Sequence, residues 1–364
     1  MFPILIVGLT TFVEPLTVDV GKEPRLVEVS LQVVRDQVEA TEGSIEFEAA
    51  IPHLKLVVIN EDGSEGAPVF GLYTLENSRL VFRPRYPLLP GVKYAAIGWT
   101  AKGKPVRSFF VVPSLGKSPP PRVTGFFPSG RTLPANCLKF YIHFSQPMRE
   151  GRAIFDQIQI LGPDGKPIVD PWRRTELWNE DATRLTMWIH PGRIKQGVNL
   201  REEFGPVLRA GKEYRIVVSS VVRDAKGNRL EEPFEKRFRA AAEDRSRPAP
   251  QKWKLNSPTI GTGELLEVVF DKPLDRALLN RMLVVKRDGK PVSGQVSVPA
   301  GELRWRFTPK ENWLPGEHSL HVDGRLEDLA GNTPLRVFDT NLADGPAGKA
   351  HLKVSISLRV PKRK

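Results

Sequence analysis

A chain of 364 residues is too long for one ordinary sandwich or small barrel and, at about 100–200 residues per domain, should hold two to four domains. Its 40% hydrophobic and 26% charged residues exclude a disordered chain, and a single cysteine, Cys137, excludes a disulfide scaffold or a Cys-rich metal site. The net charge of +12 is uneven: residues 1–120 carry 12 basic and 13 acidic residues, residues 121–245 carry 22 and 16, and residues 246–364 carry 20 and 13. Such asymmetry suits an acidic partner such as an anionic polysaccharide or a membrane surface, but the two signs interleave throughout, which speaks against a nucleic-acid patch.

Residues 1–23 open with MFPILIVGLTTFV, apolar but shorter than the 18 or more residues that span a bilayer, with no basic residue before Lys22. They read either as the remnant of an export signal or as a first strand. No later stretch qualifies as transmembrane. Beyond them Val, Ile, Phe and Thr alternate with charged residues, and 33 Pro and 30 Gly punctuate the runs, which is an all-β signature.

Four landmarks then recur in constant order. The first is an alternating run closed by a proline: IEFEAAIP to Pro52, LKFYIHFSQP to Pro147, LLEVVFDKP to Pro273. As strands these place Phe144 and Phe270 on one beat of the pleat, and Glu46 and Glu48 on one face. The second is an Asp-Gly turn at Asp62-Gly63, Asp164-Gly165 and Asp288-Gly289, supplying the positive φ of a tight hairpin. The third is a strand ending at Pro84, Pro191 or Pro309, followed by a corner: Leu88, Gly91 and Tyr94; Leu208, Gly211 and Tyr214; Leu314, Pro315 and Gly316, with Ser319 where the tyrosine should be. The corner tyrosines should pack on a core edge and tie back to backbone. The fourth is a D-x-x-G-N turn at Asp224 to Asn228 and Asp328 to Asn332, decayed to Thr100 to Lys104 in the first copy. Four landmarks in order, three times, are an internal repeat.

The strand ending F-S-x-P-M at Phe144 to Met148, the Leu208 to Tyr214 corner, and the turn at Asp224 to Asn228 with its strand ending at Phe238 to Ala240 resemble the bacterial Ig-like domains of surface-layer proteins. The second copy matches best, and the resemblance covers nearly all of residues 24–345. It implies an exported, modular, non-catalytic protein of the cell envelope without cofactor. The fold expected is all-β, three tandem Ig-like Greek-key β-sandwiches at 24–117, 121–244 and 249–345, joined at the proline-rich stretches 118–122 and 245–250. A C-terminal segment, 346–364, follows: HLKVSISLRV alternates as a strand that completes the last sandwich or adds to an edge elsewhere, ahead of a basic PKRK tail.

Departures from the repeat point to candidate binding residues. From the strand-ending proline to the corner glycine the first and third copies take seven positions, whereas the second takes twenty, an insertion at residues 192–205. Asn199 with Glu202 resembles a capping box there, giving a short helical turn with Leu200 and Phe204 on one side, and Arg193, Lys195 and Arg201 give it a basic tip; the alternative is that Leu200 and Phe204 only plug the end of their own sandwich. Aligning the copies makes Leu185, Met187 and Ile189 inward-facing, like Leu303, Trp305 and Phe307 or Leu80 and Phe82. Trp188 therefore faces outward, and with Trp172, Arg173, Arg174 and Trp178 it forms an aromatic and basic surface for sugars or a protein partner, unless it packs between domains. Accessory service to an exported enzyme is the other alternative. Catalytic and metal constellations are not found: Cys137 reads as a buried thiol, and His318 and His321, three apart on a strand, face opposite ways.

Overall fold

A computed structural model describes residues 9–13, 16–20, 27–32, 43–60, 62–100, 103–113, 118–196, 199–339 and 351–359. The first eight residues of the apolar opening and the PKRK tail lie outside them. Residues 1–120 with 223–229 form one compact unit, and residues 121–222 with 230–364 form another.

Among the described residues six sheets pair across three large apolar cores, beside a small fourth cluster of Val57, Ala95 and Ile97. In the first, strands Leu9–Val13, Leu16–Val20, Val27–Gln32, Arg79–Pro84, Gly71–Glu76 and Gly43–Ile45 lie side by side in that order. The partner sheet runs Pro105–Val111, Lys93–Trp99, Leu54–Ile59, Glu65–Pro68. Leu16, Leu31 and Phe82 from one sheet meet Leu54 and Ala96 from the other in one fully buried cluster, so the two face each other. The N-terminal strands are thus part of the first sandwich. Phe140 and Leu185 meet Ile160 and Ile216 in the second core, and Val268 and Trp305 meet Val285 and Leu320 in the third. Alternation of apolar and polar residues gives each sheet one face for a core, and stacking two such faces removes both from water.

The same connectivity occurs three times. Strand Val27–Gln32 pairs with Arg79–Pro84, Lys139–Phe144 with Arg184–Trp188, and Leu266–Val269 with Arg304–Pro309. A one-turn helix leads into the strands Leu54–Ile59, Ile158–Leu161 and Leu283–Arg287, at Phe47–Ala50, Ile154–Gln157 and Arg276–Leu279; in the first copy the strand Gly43–Ile45 comes before it. This corrects the first landmark in the first copy. IEFEAAIP is not the alternating strand; its counterpart is VEVSLQ at Val27–Gln32, with Val29 and Leu31 buried. Phe47 and Ala50 lie three apart on one side of a helical turn, with the Phe47 ring 5.1 Å from Phe70 and 5.8 Å from Tyr73, and the amide of Ala50 closes the turn onto the Glu46 carbonyl. Glu46 and Glu48 therefore share no strand face.

The corner tyrosines act as expected. Tyr94 Oη accepts the Leu89 amide at 3.0 Å, and Tyr214 Oη accepts the Arg209 amide at 2.8 Å. In the third copy the place is taken by His318, not Ser319: strand His318–Asp323 buries His318, Leu320 and Val322 on its core side. The His318 ring sits 5.4 Å from Trp313 and its Nδ1 lies 3.1 Å from the Gly316 carbonyl. The larger Trp313 fills the corner; each of the three strands begins two residues after its glycine, but in the third the ring that packs at the corner belongs to that first strand residue instead of the second. Leu303, expected inward, is 41% exposed because it precedes its strand, whereas Trp305 and Phe307 are buried.

The D-x-x-G-N turns are built alike. Asp224 Oδ1 accepts the amides of Lys226 and Asn228 and Oδ2 accepts the Asn228 side-chain amide; Asp328 does the same with Ala330 and Asn332. Gly227 and Gly331 sit at φ of +89° and +81°, where a side chain is strained. In the decayed copy the Thr100 hydroxyl accepts the Lys104 amide instead. The C-terminal strand His351–Ile356 pairs antiparallel with His318–Asp323, as Phe234–Ala241 pairs with Glu213–Val218, so it completes the third sandwich. Leu352, Val354, Ile356 and Leu358 close that core.

Candidate functional site

The insertion of the second sandwich folds into a 3-10 turn, Pro191–Arg193, and a helix, Asn199–Phe204. His190 caps the first: its Nδ1 accepts the Gly192 amide at 3.1 Å. The neighbouring loop is stitched to the strand end by bonds from the amides of Arg173 and His190 to the carbonyls of Trp188 and Pro171, at 2.8 and 2.9 Å. Together they enclose a cavity of about 310 Å³ lined by Val169, Asp170, Trp172, Arg174, His190, Arg193, Leu200 and Phe204.

Arg193 organises this end of the molecule. It is 5% exposed and donates through Nε to the Gly205 carbonyl (3.1 Å), through Nη1 to Val169 (2.5 Å) and Asp170 (3.3 Å), and through Nη2 to Phe204 (3.3 Å). Among the described residues no carboxylate lies within ion-pair distance of it, and burial lowers its pKa against the longer-range pull of Asp170. Arg193 thus ties both ends of the insertion to the loop at 169–170.

The other basic residues of the expected tip are occupied. Arg201 binds Glu243 at 2.5 Å and the Ile194 carbonyl, and the Lys195 ammonium lies 5.1 Å from the centre of the Phe338 ring. Arg174 pairs with Asp156 at 2.7 Å and approaches Asp170 at 3.7 Å. Arg173 alone of this group is exposed with no side-chain partner among the described residues.

The aromatic residues do not form one open surface. Trp172 is 3% exposed, donates to the Ile158 carbonyl at 2.7 Å and meets Phe140 edge-on, so it belongs to the core. Half-buried Trp178 packs on Phe144 and donates to Glu176. Trp188 does lie on the outer side of its sheet, half-buried, with the Lys139 ammonium 4.8 Å from its ring centre. Its position opposite Lys139 on the paired strand produces that contact.

Lys139 also belongs to a polar seam that joins the second and third sandwiches within their common unit. Its ammonium binds Glu327 and lies 3.5 Å from Asp275, while Tyr141 Oη donates to Asp275 at 2.7 Å. Asp275 meanwhile caps the helix Arg276–Leu279 through the amides of Ala277 and Leu278. Nearby, Glu302, 0% exposed, accepts from the Ser129 amide and hydroxyl, and Lys272 bridges Asp244 (2.6 Å) and Asp328 (3.1 Å). The Leu138 amide donates to the Leu329 carbonyl across the same boundary. Burial raises the carboxyl pKa of Glu302, Glu327 and Asp328, against the pull of their basic and hydrogen-bonding neighbours. Sequence reasoning missed these residues: they lie up to 188 positions apart and carry no common motif. Only the outward place of Trp188 hinted at inter-domain packing. Burial pushes the Cys137 thiol up to about 12, as for an inert core residue.

No family model and no curated protein matches the chain. Solved structures similar to it include the N-terminal part of the bacterial S-layer protein SbsC, at 13% identity and TM-score 0.25, covering 66% of this chain and 44% of that one. The FN1–FN3 domains of chicken CNTN1 are 11% identical at TM-score 0.20, over 92% and 95% of the two chains. A chimeric titin Z1Z2 is 12% identical at TM-score 0.23, over 67% and 97%.

Proposed function

We propose that this protein is a non-catalytic structural or adhesive module of the bacterial cell envelope, made of three tandem Ig-like sandwiches, the third extending to the strand His351–Ile356. The observation that carries this reading is the seam between the second and third sandwiches, where Lys139 meets Asp275 and Glu327, Lys272 bridges Asp244 and Asp328, and Glu302 accepts from Ser129, largely out of water. Buried charges contribute little net stability compared with apolar packing, yet each must find its partner, so such a boundary favours one fixed arrangement over sliding or rotation. A fixed arrangement suits a protein that spaces or presents other groups. Fractionation of the producing cells tests the placement: the native protein is expected with the envelope, and recovery in the cytosol overturns it.

The charge excess of residues 121–364 favours a second reading, retention on an anionic envelope polysaccharide. That reading expects binding to polygalacturonate that weakens with salt and is lost in the Arg173→Ala, Arg174→Ala, Trp188→Ala variant while the fold is kept. Unchanged retention in that variant leaves the structural reading alone.

A further inference from the structure

We infer that the cavity at the end of the second sandwich is a binding site for a single carboxylate on an apolar body. The carboxylate lies toward Arg193 and Arg174, and the body lies against Leu200, Phe204 and Val169. This goes beyond the envelope reading and stands without it.

The first reason is the state of Arg193. Four backbone carbonyls satisfy four of its five N–H donors, but they are neutral, and the Asp170 carboxylate offsets its charge only from a distance, by less than burial disfavours it. The fifth donor, on Nη2, has no partner among the described residues. A buried cation held mainly by neutral dipoles, with its nearest carboxylate exposed, is a counter-charge beside the cavity for an entering anion. Burial lowers its pKa against the pull of Asp170.

The second reason is the wall. Phe204 is 49% exposed and Val169 71% exposed at the mouth, although both are large and apolar and line a concavity. About 310 Å³ is at the small end of ligand pockets, which run roughly 300–1,000 Å³, so it admits a group the size of one side chain or short acyl chain. The third reason is the insertion itself. The first and third sandwiches close without it, so the second does not need Leu200 and Phe204 to complete its fold.

Asp170 sets the selectivity. Its exposed carboxylate also lines the cavity, 3.7 Å from Arg174, and it opposes a second negative charge. A monoanion is therefore favoured over phosphate or a polyanion. His190, also on the wall, has its Nδ1 taken by the Gly192 amide.

A carboxylate of this kind comes from a peptide C-terminus or from a free acid. The test is a calorimetric and NMR titration of the full chain with N-acetylleucine, hexanoate, N-acetylleucinamide and inorganic phosphate, following the Trp172 indole and Arg193 Nε resonances. Saturable shifts with a carboxylate, at least tenfold weaker for the amide and for phosphate, are expected. Arg174→Gln, at an exposed position, should weaken binding at least fivefold, Phe204→Asp should abolish it, and Lys195→Ala should leave it unchanged. Tighter binding of N-acetylleucine assigns a peptide terminus, and tighter binding of hexanoate a free acid. Absent shifts, equal binding of acid and amide, or indifference to both cavity variants overturn the inference.

Discussion

Replacing Lys139 by methionine is expected to destabilise the unit of residues 121–364 by about 3 kcal/mol at pH 7. Removing one member of a buried ion pair typically costs about 3–5 kcal/mol, because the partner is left charged and desolvated. Here the Lys139 side chain is 11% exposed and faces Asp275 at 4% and Glu327 at 25%. The lower end of the range applies because Asp275 keeps its bonds from Tyr141, Ala277 and Leu278, and water reaches Glu327 in part. Methionine retains most of the apolar stem against Trp188, so the loss reports mainly on charge. The pH dependence has a definite sign. Burial raises the pKa of Glu327 above its ordinary 4.5 even with Lys139 in place, and removing the lysine raises it further. A raised carboxyl pKa means stability that is present below about 4.5 and lost as the pH rises through the folded value, so the deficit should shrink in acid and be full at pH 7. Denaturant unfolding followed by tryptophan fluorescence checks this, since six of the seven tryptophans lie in residues 121–364. Adding Glu327→Gln to the variant should recover part of the loss. A cost below about 1 kcal/mol at pH 7, or one that grows toward acid, would refute the reasoning.

Glu302→Gln should be neutral or stabilising at pH 7, because the amide oxygen can still accept from Ser129 without a buried charge, with the difference vanishing below the ordinary carboxyl value of 4.5; a large loss in pH-resolved unfolding would contradict the raised pKa. Tyr214→Phe should cost about 1 kcal/mol by leaving the Arg209 amide without its acceptor, and Tyr94→Phe a similar amount through Leu89, both read from denaturant midpoints. With its thiol pushed up to about 12 by burial, Cys137 should resist maleimide at pH 8 in the native protein and react promptly in denaturant; rapid native labelling would place it at a surface.

The all-β class, the corner tyrosines and the D-x-x-G-N turns were legible in the chain because each depends on residues within about six positions of one another, whose spacing is itself the physical requirement. Alternation likewise predicted the strand at 351–356, though not the strand it would join. Errors came where local pattern was ambiguous. IEFEAAIP alternates as well as it turns, and only the packing of Phe47 on Phe70 and Tyr73 decides for a helix. The shift from Ser319 to His318 depends on how much room Trp313 takes in its corner. Charge was misjudged for the same reason. A run of arginines reads as a basic tip until the fold sets Arg201 beside Glu243 and wraps Arg193 in carbonyls. The seam of Lys139, Asp275 and Glu327 is the extreme case, because ion pairing and burial are properties of the space around a side chain, and that space is assembled from strands far apart in the sequence.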